Sequence, residues 1–377
     1  MNPTDRPDGT DHEPLISAEA VAALRSRIGE KMTVGGDPYL TAATYDAARH
    51  WADALGDRNP LWRDVDYARA FGYESALAPP TMLYAFSKLA IGYRGGLPGV
   101  HSFFGGTNWT WEQPIPHGAA IDVEVTFKDL IEHKSTFAEV SYRQLSDVSY
   151  RDENGRVLAT AEAWGMRTSR RKAKERDSYR KVEPATYSRS DIAAISELYA
   201  SEEIMREPRS GASLTVGTEI PEIIRGPYTV TTAIAFEQAW GGLFIRAHGD
   251  WYEFISEHPA AAIYNDLGIP EPPEAVHWDG GFARKAGVPQ PYDYGPERLS
   301  WIGVALTNWM GPLGFLRRLD VQVRRFNLVS DLTTCRGVVT SVADEAEGWV
   351  VGLDVSATNQ RSEVTAFGTA EVVLRRP

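Results

Sequence analysis

One segment occurs twice in this chain, and the repeat constrains the fold more than any other feature. Residues 57–81, which follow Gly56, read DRNPLWRDVDYARAFGYESALAPPT; residues 277–301 read HWDGGFARKAGVPQPYDYGPERLSW. With residues 62–80 laid on residues 277–295 without gaps, Trp62 falls on His277, Asp64 on Asp279, Tyr67 on Phe282, Ala68 on Ala283, Arg69 on Arg284, Gly72 on Gly287 and Pro80 on Gly295. Each copy joins a polar turn to the start of an apolar helix. A whole domain is therefore expected twice, and the two copies have lost different polar residues.

The length of 377 residues agrees, because a single hydrophobic core stops growing before that size. Hydrophobic residues at 43% and charged residues at 24% supply material for two ordinary cores and exclude a mainly disordered chain. A net charge of -12 argues against tracking a nucleic acid backbone, though a local arginine cluster on an acidic protein still binds phosphates. The single cysteine, Cys335, makes no intramolecular disulfide and reads as a core thiol in a reducing compartment. The first residues lack the basic start and apolar run of a signal peptide, and no apolar stretch has membrane-spanning length, so a cytoplasmic protein is expected.

Apolar spacing predicts helices over residues 17–28 and 41–55, the second capped by Thr44 and ended by Gly56. A short helix follows over 64–71, ended by Gly72, and Pro79 and Pro80 open a longer apolar helix over 81–93. The period then changes to strands near 107–111, 121–127, 136–144 and 156–167. The basic run RRKAKERDSYRK, 170–181, reads as a solvated linker rather than a nucleic-acid or membrane patch, and residues 190–205 as a connecting helix. The order then repeats: helices at 230–240 and 295–309, strands at 319–326, 333–341, 349–357 and 363–374. Gly242 takes the place of Asp57, and about thirty extra residues separate it from His277; an insertion of that kind is a lid, a binding loop or a surface elaboration. The expected organisation is an amino-terminal domain over 1–169, a linker and helix over 170–208, and a carboxy-terminal domain over 209–377 with an insertion at 243–276. The class is α+β, with an antiparallel sheet curled around a long helix in each domain.

Gly56-Asp57-Arg58-Asn59-Pro60-Leu61, followed by Asp64 and Ala68, resembles the hydratase motif of the MaoC-like, (R)-specific enoyl-CoA hydratase family, and the likeness extends over both halves. The first half resembles the amino-terminal dehydratase-like variant. The resemblance implies tandem hot-dog domains in one polypeptide. It also implies hydration or dehydration of an α,β-unsaturated acyl thioester by an aspartate and a histidine that hold one water, with backbone amides near a later His-Gly pair stabilising the enolate oxygen. Here that motif is divided. The first copy keeps Asp57 and Asn59, but Trp62 stands where the histidine belongs and Pro79-Pro80 where the His-Gly pair belongs. The second copy keeps His277 and Gly295 and has no carboxylate at the aspartate position.

The expected site therefore centres on His277 as general acid or base, with its carboxylate to be found among Asp279, Asp293, Glu297 and Asp250, or with His248 as partner. Gly295 would help form an oxyanion hole at a helix start, with Tyr294 and Asp293 orienting the substrate or acting on a proton. Each has a structural alternative: Asp57 as a turn carboxylate, His277 as a hydrogen-bonded core histidine, Asp64 and Asp279 as helix caps, and residues 292–295 as a tight turn. Arg317, Arg324 and Arg325 are candidates for coenzyme A phosphates, and Trp240 and Phe244 for the acyl pocket.

No zinc spacing, phosphate loop, nucleophile elbow or dinucleotide fingerprint is present, so no cofactor is expected beyond coenzyme A as part of the substrate. The expected partner is a small-molecule acyl thioester, with neither nucleic acid nor membrane. A homodimer or a complex with another hot-dog subunit is expected as the assembly. Two other functions fit the divided motif: a hot-dog acyl-CoA thioesterase, or a non-catalytic acyl-binding subunit that pairs with an intact hydratase.

Overall fold

A computed structural model describes residues 16–33, 38–89, 97, 100–135, 138–169, 182–242 and 245–376. The first half opens with α1 (Ala18–Arg25), capped by Ser17, then β1 (Lys31–Met32) and α2 (Tyr45–Ala54), capped by Thr44 as expected. A 3-10 turn (Pro60–Trp62) leads into α3 (Val65–Ala70), whose first turn is capped by Asp64. Four long strands follow: β2 (Val100–Trp111), β3 (Asp122–Ser135), β4 (Ala138–Arg151) and β5 (Val157–Ser169).

The connecting helix α4 (Arg189–Ala200) starts at a reciprocal Ser188/Asp191 capping box and leads to β6 (Ile223–Arg225) and α5 (Val230–Trp240). The insertion contributes α6 (His248–Glu257) and the short pair β7 (Ile263–Tyr264) and β8 (Pro270–Glu271). A 3-10 turn (Pro273–His277) and α7 (Gly280–Lys285), capped by Asp279, restate the first copy's turn and short helix. The long α8 (Gly295–Met310) precedes β9 (Gly314–Val323), β10 (Thr333–Glu345), β11 (Gly348–Asn359) and β12 (Val364–Arg375). The basic run at 170–181 lies outside the described residues.

The repeat is visible in the sheet. Ten strands run in the order β1-β3-β4-β5-β2-β9-β12-β11-β10-β6, so each half presents the same strand sequence outward from a central seam. The seam is the antiparallel pair β2 and β9, with Trp109 opposite Leu319 and Asn108 opposite Asp320. Joining the halves edge to edge pairs residues 106–110 of β2 with residues 318–322 of β9, so neither strand is a free edge along that stretch. The helices α2 and α5, equivalent in the repeat, pack together through Trp51 and Phe236, whose ring centroids are 5.3 Å apart.

The core helix α8 has its residues from Pro296 to Met310 buried, and it lies against β2, β9, β10, β11 and β12. Its counterpart in the first half differs from the expected helix over 81–93. The segment Pro80–Phe86 is a 3-10 helix, and Ser87 is extended. Tryptophan side chains take carbonyls that an α-helix would use: Trp111 Nε1 donates to Pro80 O at 3.2 Å, and Trp240 Nε1 to Tyr84 O at 3.1 Å. Among the described residues no helix is long and apolar enough to cross a membrane.

Candidate functional site

The two copies of the motif reach opposite outcomes. In the first, Asp57 is buried, and its carboxylate accepts the Asn59 N–H at 2.9 Å and the Trp62 indole N–H at 2.7 Å. Burial pushes its pKa up to about 6 against those two donors. Asn59 donates to Thr307 O at 3.2 Å and so ties the turn to α8. The indole occupies the space on the turn where an imidazole would stand, and both carboxylate oxygens are engaged.

In the second copy, the ring of His277 follows a short proline-started turn. Its Nδ1 lies 2.7 Å from the carbonyl oxygen of Tyr292, a contact that needs Nδ1 to carry the proton and donate it. Nε2 then carries the lone pair. Burial pushes the imidazole pKa down to about 4, only partly offset by that carbonyl, so the ring is neutral at neutral pH. His277 stacks on Tyr294 with centroids 3.8 Å apart and meets Tyr292 edge-on at 4.7 Å. Tyr294 is the N-cap residue of α8, so the imidazole sits at the amino end of the core helix, where backbone N–H groups lack intrahelical acceptors.

The carboxylates expected beside His277 are committed elsewhere. Asp293 is buried and forms a two-pronged pair with Arg298, its Oδ2 accepting Arg298 Nε at 2.7 Å. Arg298 also donates to the carbonyls of Arg325 and Thr365, so the pair pins the start of α8 to the end of β9 and to β12. Asp279 accepts the Phe282 N–H at 2.9 Å as a helix cap. Glu297 accepts the Tyr228 hydroxyl at 2.8 Å. His248 and Asp250 lie exposed on α6. Gly295 is a packing requirement: a Cβ there would stand 2.1 Å from Cδ1 of Phe104.

A carboxylate that the sequence did not single out lies in this neighbourhood. Glu237, in the last turn of α5, interacts with the Tyr294 hydroxyl and with Lys88. Burial pushes its pKa up to about 7, opposed by those two groups. Both Glu237 oxygens and the Tyr294 hydroxyl are buried, and their geometry does not complete a hydrogen bond between them. Glu274 lies within electrostatic range of Lys88 and of Tyr294. The signal in the sequence was the glycine at position 242. An empty motif position invites a neighbour to fill it, but only packing identifies the neighbour.

Trp240 is buried against Tyr294, with centroids 5.4 Å apart, and Phe244 lies outside the described residues. Arg317 is held by Glu371 and Glu347, and Arg325 pairs with Glu363 at 3.3 Å. Arg324 is exposed and makes no ion pair among the described residues. Two residues on, Phe326 packs on Tyr292 at 4.7 Å, which brings this strand end to the residue that holds His277.

Residues 31–161 match the family model of the FAS1-like, dehydratase domain region. Among curated proteins, a UPF0336 protein of Streptomyces avermitilis is 29% identical over 99 residues, 25% of this chain and 65% of that protein. The 3-oxo-4,17-pregnadiene-20-carboxyl-CoA hydratase alpha subunit of Mycobacterium tuberculosis is 32% identical over 20% of this chain and 22% of its own length. A probable enoyl-CoA hydratase alpha subunit of Thermomonospora curvata is 26% identical over 34% of this chain and 45% of its own. The chain thus spans less than two thirds of each of these relatives.

Among solved structures, a MaoC-like dehydratase superposes with a TM-score of 0.63 at 17% identity, covering 94% of this chain and 100% of that one. A conserved hypothetical protein of Mycobacterium tuberculosis, described as a double hotdog fold, superposes with a TM-score of 0.54 at 13% identity over 93% of this chain and 96% of its own. The chain has a double hot-dog fold, and its residues 31–161 match the FAS1-like dehydratase domain region.

Proposed function

We propose that this protein is a hydratase or dehydratase that adds water to, or removes it from, a 2-enoyl or 3-hydroxyacyl thioester, with its site in the second half. The observation that carries this reading is His277: Nδ1–H is fixed on the Tyr292 carbonyl and Nε2 is left as a neutral base at the amino end of α8. A base whose pKa lies below the working pH stays unprotonated and ready to accept a proton from water. The first-turn backbone of α8, at Gly295, supplies the dipole and N–H that favour an enolate oxygen. The FAS1-like dehydratase region and the two relatives named as CoA hydratase alpha subunits support the same chemistry.

The substrate is proposed as a coenzyme A ester, with no other cofactor. Arg324 is the arginine available to its phosphates, since Arg317 and Arg325 are already paired. Trp240 walls the acyl side. The assembly is a homodimer or a complex with another hot-dog subunit.

The test is turnover of purified protein with crotonyl-CoA, trans-2-octenoyl-CoA and cinnamoyl-CoA, following enoyl absorbance and free thiol together. Hydration without thiol release, reduced at least about 10²-fold in His277→Ala, is the expected result. Thiol release would replace the reading with a thioesterase, and an active His277→Ala protein would remove His277 from the chemistry. A second reading is favoured by one observation: two of the relatives are named alpha subunits. If the protein binds acyl-CoA without turnover, it is an acyl-binding subunit that needs a partner hydratase.

A further inference from the structure

The repeat sets Gly242 on Asp57 and His277 on Trp62. In the first half, the residues at these two positions touch, Trp62 Nε1 lying 2.7 Å from Asp57 Oδ2. In the second half, position 242 has no side chain, yet its volume is filled. A Cβ built on Gly242 would stand 1.7 Å from Oε1 and 2.8 Å from Cδ of Glu237. The Glu237 carboxylate reaches that point from the last turn of α5, with both oxygens buried and facing the Tyr294 hydroxyl. The ring of the same tyrosine stacks on His277 at 3.8 Å, so one residue borders both polar groups.

We infer that Glu237 is the second catalytic group of this site, its carboxylate standing where the side chain of the motif's aspartate would stand and acting with His277 across one water. The inference rests on the hydratase reading above. It resolves the divided motif within the second half: the carboxylate was not lost but is delivered five residues earlier, from the helix rather than the turn.

The opposed environments assign the roles. Burial keeps a proton on Glu237 to about pH 7 and keeps His277 unprotonated down to about pH 4. A pair pushed apart in this direction has the carboxyl as acid and the imidazole as base. In hydration, His277 Nε2 takes a proton from water as the water oxygen bonds to Cβ of the enoyl thioester. The π pair moves toward the thioester oxygen, and Cα takes the Glu237 proton. The imidazolium and carboxylate left behind exchange that proton through solvent before the next turnover; dehydration runs the same steps backward.

The experiment compares wild type, Glu237→Gln, Glu237→Ala, and Glu237→Ala combined with Gly242→Asp, on the three enoyl-CoAs named above, from pH 5 to pH 9, with thermal melts as the folding control. Gly242 has φ +56°, a left-handed conformation that aspartate adopts more readily than most residues; removing Glu237 clears the nearest obstruction to a Cβ there and leaves Cγ1 of Ile245, at 2.8 Å, to shift. Glu237→Gln is expected to fold and to lose about 10²- to 10⁴-fold in turnover. The combined variant is expected to recover activity relative to Glu237→Ala, with the alkaline limb of its pH profile moved down from the wild-type limb near pH 7.

Full activity of a folded Glu237→Gln protein, alongside an inactive His277→Ala, would overturn this inference and leave the hydratase reading standing. Wild-type protein inactive on every probe would overturn both. If Glu237→Gln does not fold, the wild-type profile decides: a fall in rate through pH 7 supports the assignment, and a flat profile to pH 9 refutes it.

Discussion

Trp62 donates its indole Nε1–H to Oδ2 of Asp57 at 2.7 Å, and with the Asn59 N–H on Oδ1 this closes the first motif on itself. Asparagine at position 57 keeps only one acceptor oxygen and turns an amide N–H2 toward one of the two donors. Asp57→Asn is therefore expected to cost about 1–3 kcal/mol of stability, the penalty of orphaning a buried donor. Turnover at the second-half site should be unchanged. Urea unfolding and an enoyl-CoA assay check this together, and a stable but inactive variant would place Asp57 in the chemistry.

The half-buried imidazole makes stability depend on pH in a defined direction. His277 has its folded pKa at about 4, below its ordinary value of 6.5, so the unfolded chain binds the proton first as pH falls. Its contribution is complete above about pH 6.5 and is lost as pH falls toward 4, a change of up to about 3 kcal/mol. His277→Gln should flatten that part of the stability curve relative to wild type. Denaturant unfolding of both proteins at pH 7.5 and pH 4.5 is the measurement; equal losses in the two would show that the imidazole is not held neutral.

The Asp293–Arg298 pair is nearly inaccessible to solvent, at 1% exposure for each residue. Removing only the guanidinium leaves a buried carboxylate without its partner, so Arg298→Met is expected to destabilise by about 3–5 kcal/mol. Asp293→Asn with Arg298→Met should recover part of that loss, because no lone charge remains buried. A double variant no more stable than Arg298→Met alone would show that the arginine's bonds to the Arg325 and Thr365 carbonyls dominate.

Phe104 approaches the start of α8 so closely that a methyl at position 295 would overlap its ring, at 2.1 Å from Cδ1. Gly295→Ala should cost about 1–3 kcal/mol by overpacking. In a Phe104→Ala background the same substitution should cost much less, a coupling that a double-mutant cycle reads directly. Additive losses would mean that the backbone of residue 295, rather than the ring, sets the requirement.

Local rules made much of this protein legible in its sequence. Thr44, Asp64 and Asp279 cap helices, Val230–Trp240 is a helix over the expected residues, and the apolar run from Gly295 is the core helix, because capping and periodicity depend on residues within a few turns of one another. The internal repeat pointed to a doubled architecture because equivalent local patterns form equivalent elements, and the motif drew attention to the Tyr292–Gly295 turn against which His277 lies.

Only the tertiary structure decided which polar groups meet. Trp111 and Trp240 take the carbonyls of Pro80 and Tyr84 and leave the first half a 3-10 turn where its own periodicity promised a helix. Asp293, two residues before Gly295, turns to Arg298, while Glu237, forty residues before His277, faces the tyrosine that stacks on it. The sequence by itself determined the elements and the absence of a side chain at position 242. What fills that space depends on volumes contributed by segments far apart in the chain, and close packing, not spacing, assigns them.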